Sequence, residues 1–309
     1  MLKFFSLATW GAAVLLLSSL TSCEDILEQY FPKPTPTPPT IPAQTVAYTS
    51  YADAVTPGSG DGAWQNGLII FNPITLAKIQ EMPITGLSAV TDRIYGLDIR
   101  PATGQLYALV ATTSATDGRL YTINPATGAA TLVAPVSIPL SGSLTLGFDF
   151  NPVVDRIRIV TKSGQNLRVN PVDGVAIEDG RINGGTANSV MSVAYDNNVA
   201  GATSTNLYAL DFTASKLYLV NPPNAGTLTE IGSLSINFLS DGSFDIGATS
   251  KKAYAVMSGP YVGRLYSINL TTGAATELGD FGFPAIRPSP TPGFVFAPFI
   301  TGFTLGLAL

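Results

Sequence analysis

The chain has 309 residues, a formal net charge of −5, no histidine and one cysteine. Charged residues make up 12% of the sequence, about half of the usual share of roughly 25%. The missing histidine excludes Ser-His-Asp and Cys-His catalysis and every histidine-ligated metal site. An acidic chain is also a poor candidate for a nucleic-acid partner.

The first 22 residues have the pattern of a secretory signal. Met1-Leu2-Lys3 is a basic start, Phe4 to Leu17 are mostly apolar, and the segment ends in Leu20-Thr21-Ser22-Cys23. The apolar stretch is shorter than the roughly 20 residues of a membrane-spanning helix. Its ending resembles the lipobox of bacterial lipoproteins, in which the cysteine is acylated and becomes the first residue. We predict a signal peptide over 1–22 and a lipid anchor at Cys23; an ordinary signal peptide with an incidental cysteine is the alternative.

Residues 23–44 are predicted to be a linker. Phe31 to Pro42 alternates proline with threonine, and proline lacks the N–H that a helix or a strand ladder needs. Such a tract favours an extended polyproline conformation, which would hold the next domain away from the bilayer. We expect a location in the cell envelope, at the outer membrane or the cell surface.

Residues 45–309 are predicted to form one all-β domain built from repeats. A strand, an Asn-Pro-x-x-Gly type of turn and a second strand recur along the chain. The turn asparagine falls at positions 72, 124, 170, 221 and 269. The asparagine side chain caps such a turn, proline presets φ, and glycine takes the positive φ. Each copy is therefore a β-hairpin.

A second hairpin precedes most copies and carries Asp98, Asp149 or Asp245 in one register. Two hairpins make four strands, and units of this length with four strands are propeller blades. The predicted full blades span roughly 94–138, 144–182, 190–234 and 243–280.

The hairpin over 67–85 has no complete partner before it and is predicted to be half of a blade. Strands at 46–50 and 293–297 are the candidates that would complete it. Joining the first and last strands in one blade closes the ring and removes an exposed sheet edge. The sequence thus predicts a β-propeller of four-stranded blades, with five blades favoured and six as the alternative.

Three segments carry a family resemblance: Gly147 to Val160, Gly164 to Pro171, and Ala194 to Asn198. Together with the turn at Asn221 they resemble the bacterial extracellular family called domain of unknown function 4394, over about residues 67–280. The resemblance implies a propeller-like repeat fold and export. It implies no known activity, so no catalytic residue is carried over.

Arg156, Arg158 and Arg168 are the candidate ligand-binding residues. The first two alternate with isoleucine and share one strand face, and the third lies in the next strand. Clustered guanidinium groups favour carboxylate or phosphate ligands. The competing interpretation is pairing with Asp149 or Asp155, or simple exposure.

The three repeated aspartates, Asp98, Asp149 and Asp245, are the candidates for a metal site. Three carboxylates around a propeller axis supply the oxygen ligands that Ca²⁺ takes. A residue repeated at one place in several blades is, however, better explained by a hydrogen bond between blades or in a turn. No metal, cofactor or catalytic residue is therefore assigned.

Two functions remain open. We expect a non-enzymatic propeller that binds an extracellular protein or glycan and is held on the membrane through Cys23. The alternative is an envelope hydrolase, glycosidase-like or lactonase-like, with an Asp-based or calcium-assisted site in the funnel. Three or more non-repeating acidic side chains in the channel would favour the hydrolase, whereas repeat-equivalent ones alone would count against it.

Overall fold

The structure is a computed structural model. It describes residues 46–54, 64–112, 117–142, 145–185, 190–236, 242–258, 263–280, 287–288, 295–296 and 299–306. The predicted leader over 1–22, Cys23 and the linker lie outside the described residues. Within these ranges, no helix has the length and apolar character needed to cross a membrane. The helical segment within the described ranges is a short 3₁₀ turn at Pro223–Ala225.

Five antiparallel four-stranded sheets form the blades of a β-propeller. Blade 1 contains β1 (Ala47–Ala54), β2 (Trp64–Phe71), β3 (Lys78–Pro83) and the C-terminal β22 (Phe299–Leu305). Blade 2 contains β4 (Asp92–Ile99), β5 (Leu106–Thr112), β6 (Arg119–Ile123) and β7 (Ala130–Pro135). Blade 3 contains β8 (Leu146–Asn151), β9 (Arg156–Thr161), β10 (Asn166–Val169) and β11 (Ala176–Glu178).

Blade 4 contains β12 (Ser192–Tyr195), β13 (Leu207–Asp211), β14 (Lys216–Val220) and β15 (Leu228–Ser233). Blade 5 contains β16 (Gly242–Ile246), β17 (Ala253–Ser258), β18 (Gly263–Ile268) and β19 (Ala275–Asp280). The innermost strands contact one another in the order β22, β4, β8, β12, β16 and back to β22. The prediction of a propeller with five blades is confirmed.

The first and last strands of the described chain meet in blade 1. β22 is the innermost strand of that blade and pairs with β1, so that Thr304 lies opposite Tyr48. Ring closure by joined ends is therefore confirmed, but the predicted closing segment at 293–297 is wrong. β21 (Val295–Phe296) pairs instead with β20 (Arg287–Pro288).

The closing strand matches the other innermost strands in its close packing. Its Gly302-Phe303-Thr304 repeats Gly147-Phe148-Asp149, with threonine in place of aspartate. A Cβ atom on Gly302 would lie 2.7 Å from the Cβ atom of Leu97, so that blade 2 can approach only a residue without a side chain. The close approach of blade 2 therefore requires a glycine at this position of β22.

Four of the five repeated turns have the predicted asparagine side-chain hydrogen bond, whereas the turn at Asn221 contains a cis Asn221–Pro222 bond and the 3₁₀ turn at Pro223–Ala225. The side-chain Oδ1 of Asn124 accepts the backbone N–H of Ala126 at 2.9 Å, and Gly128 has a φ of 73°. The turns at Asn72, Asn170 and Asn269 use the same side-chain hydrogen bond. Local sequence thus determines where the third strand of a blade turns into the fourth.

The apolar core lies between the blades. Five clusters of buried side chains are described, and each joins two neighbouring blades around the ring. The cluster between blades 5 and 1 contains Phe303 and Leu305 of the closing strand. Since a fully buried side chain of this size contributes about 1.5–3 kcal/mol, β22 adds hydrophobic stabilisation as well as backbone pairing.

Candidate functional site

One register position repeats around the propeller axis. It is the residue of each innermost strand that lies opposite Tyr48, Tyr107, Arg158, Tyr208 or Tyr254 of the second strand. In order around the ring, the five axial residues are Thr304, Asp98, Asp149, Ala194 and Asp245. Sequence reasoning found the three aspartates and missed Ala194 and Thr304, because both lack the carboxyl group that marked the position.

Each axial aspartate accepts a backbone hydrogen bond from the next blade. The three bonds run from Phe150 N to Asp98 Oδ2 (2.7 Å), from Tyr195 N to Asp149 Oδ1 (2.8 Å) and from Leu305 N to Asp245 Oδ2 (2.7 Å). In every case the donor is the residue that follows the axial residue of the neighbouring innermost strand. These side chains therefore join adjacent blades, which is the structural interpretation favoured by their repetition.

The three carboxyl groups also converge at the axis. One oxygen atom from each of Asp98, Asp149 and Asp245 lies within 4.8 Å of the others, and all three residues are at most 3% exposed. Three oxygens at this separation are close enough to share a cation. Among the residues that the structure describes, these three form the group of carboxylates that lie this close together.

Burial in this cluster favours neutral carboxyl groups. Burial raises the pKa of Asp98 well above its usual range, and the charge of Asp245 raises it further. The pKa of Asp149 is also raised, first by burial and then by the charges of Asp98 and Asp245. Burial raises the pKa of Asp245 to about 6, against hydrogen bonds from Leu305, Ile246 and Thr304.

The predicted arginine cluster assembles only in part. Arg158 is buried, and its guanidinium group donates to Asp179 Oδ2 at 2.7 Å and to Asn166 Oδ1 at 2.9 Å. Its remaining contacts are with Asn224 Oδ1 at 2.7 Å and Tyr195 OH at 3.2 Å, both from blade 4. Arg158 therefore ties blade 3 to blade 4 through Asn224 and Tyr195, and its charge is balanced by Asp179, a partner that the sequence did not suggest.

Arg168 joins Arg158 on the same carboxylate. Its Nε and Nη2 atoms donate to the two oxygens of Asp179 at 2.6 and 2.9 Å. Burial raises the pKa of Asp179, but the hydrogen bonds from Arg168 and Arg158 outweigh it, so the pKa lies below the usual value. Arg156 does not join them: it is exposed and donates to the backbone oxygens of Val154 and Asp155.

Exposed aliphatic side chains concentrate at one end of the propeller. We call it the turn end, because it carries the turns from first to second and from third to fourth strand of each blade. Six aliphatic residues on these turns are exposed: Ile74, Val153, Val154, Val172, Val175 and Val199. Four of them belong to blade 3, on the neighbouring turns 151–156 and 170–175. The composition of the turns alone did not single out this surface.

A family model described as "Domain of unknown function (DUF4394)" matches residues 67–287, which is more than half of the chain. The chain belongs to this family. The resemblance noted in the sequence is thereby confirmed, and the DUF4394 match begins in β2 and ends at β20. No curated protein matches the sequence.

Solved structures similar to this DUF4394 chain share little sequence with it. A Bacteroides thetaiotaomicron protein of unknown function is 11% identical with a TM-score of 0.46, over 74% of this chain and 64% of its own. TolB from Acinetobacter baumannii is 11% identical with a TM-score of 0.43, over 76% and 53%. A putative 6-phosphogluconolactonase from Bacteroides uniformis is 13% identical with a TM-score of 0.42, over 81% and 87%. The chain thus spans less than two thirds of the length of the first two.

Proposed function

We propose that this chain is a non-enzymatic β-propeller that binds an extracellular protein or glycan with its turn end. In this proposal acylated Cys23 holds the chain on the bacterial cell envelope, at the outer membrane or the cell surface. The linker over 23–44 presents the propeller to its partner. No nucleic acid and no cofactor is part of the proposed function.

The observation that carries the proposal is the group of exposed aliphatic residues on blade 3. Val154, Val172 and Val175 are 51%, 64% and 54% exposed, at positions where the corresponding residues of blade 2 are Thr103, Ala126 and Ala129. Contiguous apolar surface that is exposed on a protein often marks a contact site for a partner. The neighbouring Arg156 is exposed as well and adds a positive charge that a partner can contact.

The axial cluster gives less support to the alternative, an envelope hydrolase. A hydrolase of the glycosidase type needs a carboxylic acid and a carboxylate that reach the substrate. The carboxyl groups that converge at the axis are repeat-equivalent, buried, and bonded to the backbone of the next blade. Their arrangement favours a structural role.

The test is to screen the chain without residues 1–22, carrying Cys23→Ser, on glycan arrays and against envelope proteins. A Val154→Ser/Val172→Ser variant should weaken the recovered interaction at least about tenfold, which corresponds to about 1.4 kcal/mol. The matched control is Val90→Ser, because Val90 is 71% exposed but lies between β3 and β4 at the other end of the propeller. Equal binding by both variants, or hydrolysis of a sugar or lactone by the chain, would contradict the proposal.

The anchor is tested separately in cells. Fatty-acid labelling of the full chain should give a labelled product that remains with the membrane fraction. The Cys23→Ser variant should take up no label, since Cys23 is the single cysteine of the sequence. Equal labelling of both chains would count against acylation at this position.

A further inference from the structure

The hydroxyl group of Thr304 lies within hydrogen-bond distance of two carboxyl groups, but it has only one hydrogen to donate. Its Oγ1 atom lies 2.8 Å from Asp98 Oδ1 and 3.0 Å from Asp245 Oδ2. A hydroxyl group donates one hydrogen, whereas an ionised carboxylate only accepts. With both aspartates ionised, one of the two contacts would set two oxygen lone pairs against each other. Both contacts are hydrogen bonds only if one carboxyl group carries a proton, which it then donates to Thr304 Oγ1.

We propose that a proton retained between Asp98 and Asp245 locks the closing strand β22 in the ring, and that its loss at higher pH loosens β22. The protonated carboxyl group donates to Thr304 Oγ1, and the Thr304 hydroxyl donates to the other carboxylate. When the proton leaves to solvent, only one of the two bonds remains. Burial and the neighbouring carboxylate raise the pKa of Asp98, in agreement with this count of hydrogens.

The other groups around the axis leave no substitute for this proton. Asp149 adds a third carboxyl group, and Ala194 of β12 carries no polar side chain. The second strands present four tyrosines and Arg158 opposite the axial residues, namely Tyr48, Tyr107, Tyr208 and Tyr254. Arg158 bonds to Asp179, Asn166 and Asn224. Among the described side chains, none therefore brings a positive charge to the place where it would neutralise Asp98 and Asp245.

Loss of the proton acts on β22 in particular. Besides Thr304, the backbone N–H of Leu305 bonds to Asp245 Oδ2, so the hydrogen bonds that β22 makes with the axial aspartates all end on the carboxyl groups of Asp98 and Asp245. Opening of β22 admits water and returns the carboxyl pKa toward its usual value. Opening then releases a proton, and the opening constant should rise about tenfold per pH unit between the open-state and closed-state pKa.

The experiment is hydrogen–deuterium exchange of the whole chain between pH 5 and pH 8, read on the peptide that covers Phe299–Leu305. Rates are divided by those of the same peptide free in solution, which removes the intrinsic pH dependence of exchange. Corrected exchange of this peptide should accelerate by up to about tenfold per pH unit over the part of that window that lies between the open-state and closed-state pKa. The innermost strand β12, which carries Ala194, should show a smaller change.

A neutral variant and a spectroscopic measurement complete the test. Asp98→Asn should flatten the pH dependence of the β22 peptide. Asp92→Asn should leave it in place, because Asp92 pairs with Arg119 and lies about 20 Å further along β4. If Asp98→Asn does not fold, infrared difference spectra of the wild-type chain still test whether a carboxyl group is protonated. They should show a protonated carboxylic acid at pH 7 that disappears on raising the pH.

Three results would overturn the proposal. One is corrected exchange of the β22 peptide that does not change with pH. Another is the absence of a protonated carboxyl band at pH 7. The last is protection of β22 that depends on added Ca²⁺, is lost with a chelator and does not respond to pH, which would mean that a cation holds the axial oxygens together.

Discussion

The buried carboxylate of Asp179 serves two arginines. Arg158 and Arg168 both donate to it, and the Arg158 side chain is only 2% exposed. A buried guanidinium group without a counter-charge is costly, because water no longer solvates it. Asp179 thereby allows a charged residue to occupy, in blade 3, the position that tyrosine fills in the other blades.

Replacement of Asp179 by alanine should therefore destabilise the fold by about 3 kcal/mol, since it leaves Arg158 buried and unpaired. Chemical denaturation of the purified chain measures the change. The matched control is Glu230→Ala, which removes the partially exposed ion pair with Lys216 and should cost at most about 1 kcal/mol. Similar losses in the two variants would contradict this account of Arg158.

The sequence could predict which arginines approach each other, but not which acid they share. Arg158 and Arg168 lie in adjacent strands of one hairpin, so strand register brings them together. Asp179 follows β11 in the connection to blade 4 and has no counterpart in the other repeats. The residues paired with Arg158 depend on how two blades pack, which periodicity does not reveal.

At the scale of elements, three of the repeated turns fasten a blade to the one before it. The backbone N–H of Thr85, just after β3, donates to the carbonyl oxygen of Gly128 in the turn of blade 2. The corresponding bond runs from Ser137 to Gly174, and from Asn183 to Gly226. The turn glycine thus has two requirements, a positive φ and space for the neighbouring chain.

A pair of glycines separates these two requirements. Gly128 and Gly104 have φ values of 73° and 72°, but a Cβ atom would lie 2.2 Å from Pro83 O at Gly128 and would meet nothing within 4 Å at Gly104. Gly104→Ala should cost about 1–2 kcal/mol from backbone strain alone. Gly128→Ala should cost at least about 1 kcal/mol more, because Pro83 must move. Thermal and urea denaturation measure both, and equal losses would show that the turn does not fasten blade 1.

Sequence reasoning succeeds for the turns and fails for the closing strand for the same reason. Asn124 and Gly128 lie within one turn, so their spacing is sufficient to predict the hairpin. Thr304 replaces the aspartate by which the other innermost strands were recognised, and its pairing partner Tyr48 is far away along the chain. The signal that remained was Gly302-Phe303, which copies Gly147-Phe148.

At the scale of the molecule, two sets of carboxyl groups give opposite pH dependence. Asp179 has a lowered pKa in the fold, so its stabilisation is present above the unfolded-state pKa and is lost as the pH falls through the folded-state value. Asp98, Asp149 and Asp245 have raised pKa values. Their stabilisation is complete below the unfolded-state pKa and is lost as the pH rises through the folded-state values.

We therefore expect Asp149→Asn to gain stability over the wild-type chain as the pH rises from 5 to 8, by up to about 1.4 kcal/mol per pH unit. The asparagine oxygen can still accept the N–H of Tyr195, so the bond between blades 3 and 4 is kept. Urea denaturation at several pH values measures the difference. Asp173→Asn, at an exposed turn, is the control and should follow the wild-type curve; a parallel curve for Asp149→Asn would refute the assignment.

We also expect the pairing between β1 and β22 to affect the order of folding. The Thr49 hydroxyl donates to the carbonyl oxygen of Gly302 across 253 positions of the chain, whereas blades 2 to 5 are each built from contiguous hairpins. Long-range contacts carry a larger loop-closure entropy and slow the folding rate. Blades 2 to 5 can form from their own contiguous hairpins, whereas β1, β2 and β3 keep an unpaired inner edge until β22 is available. We therefore expect completion of the ring to be a late step of folding, because a chain that has not yet formed β22 lacks the inner strand of blade 1.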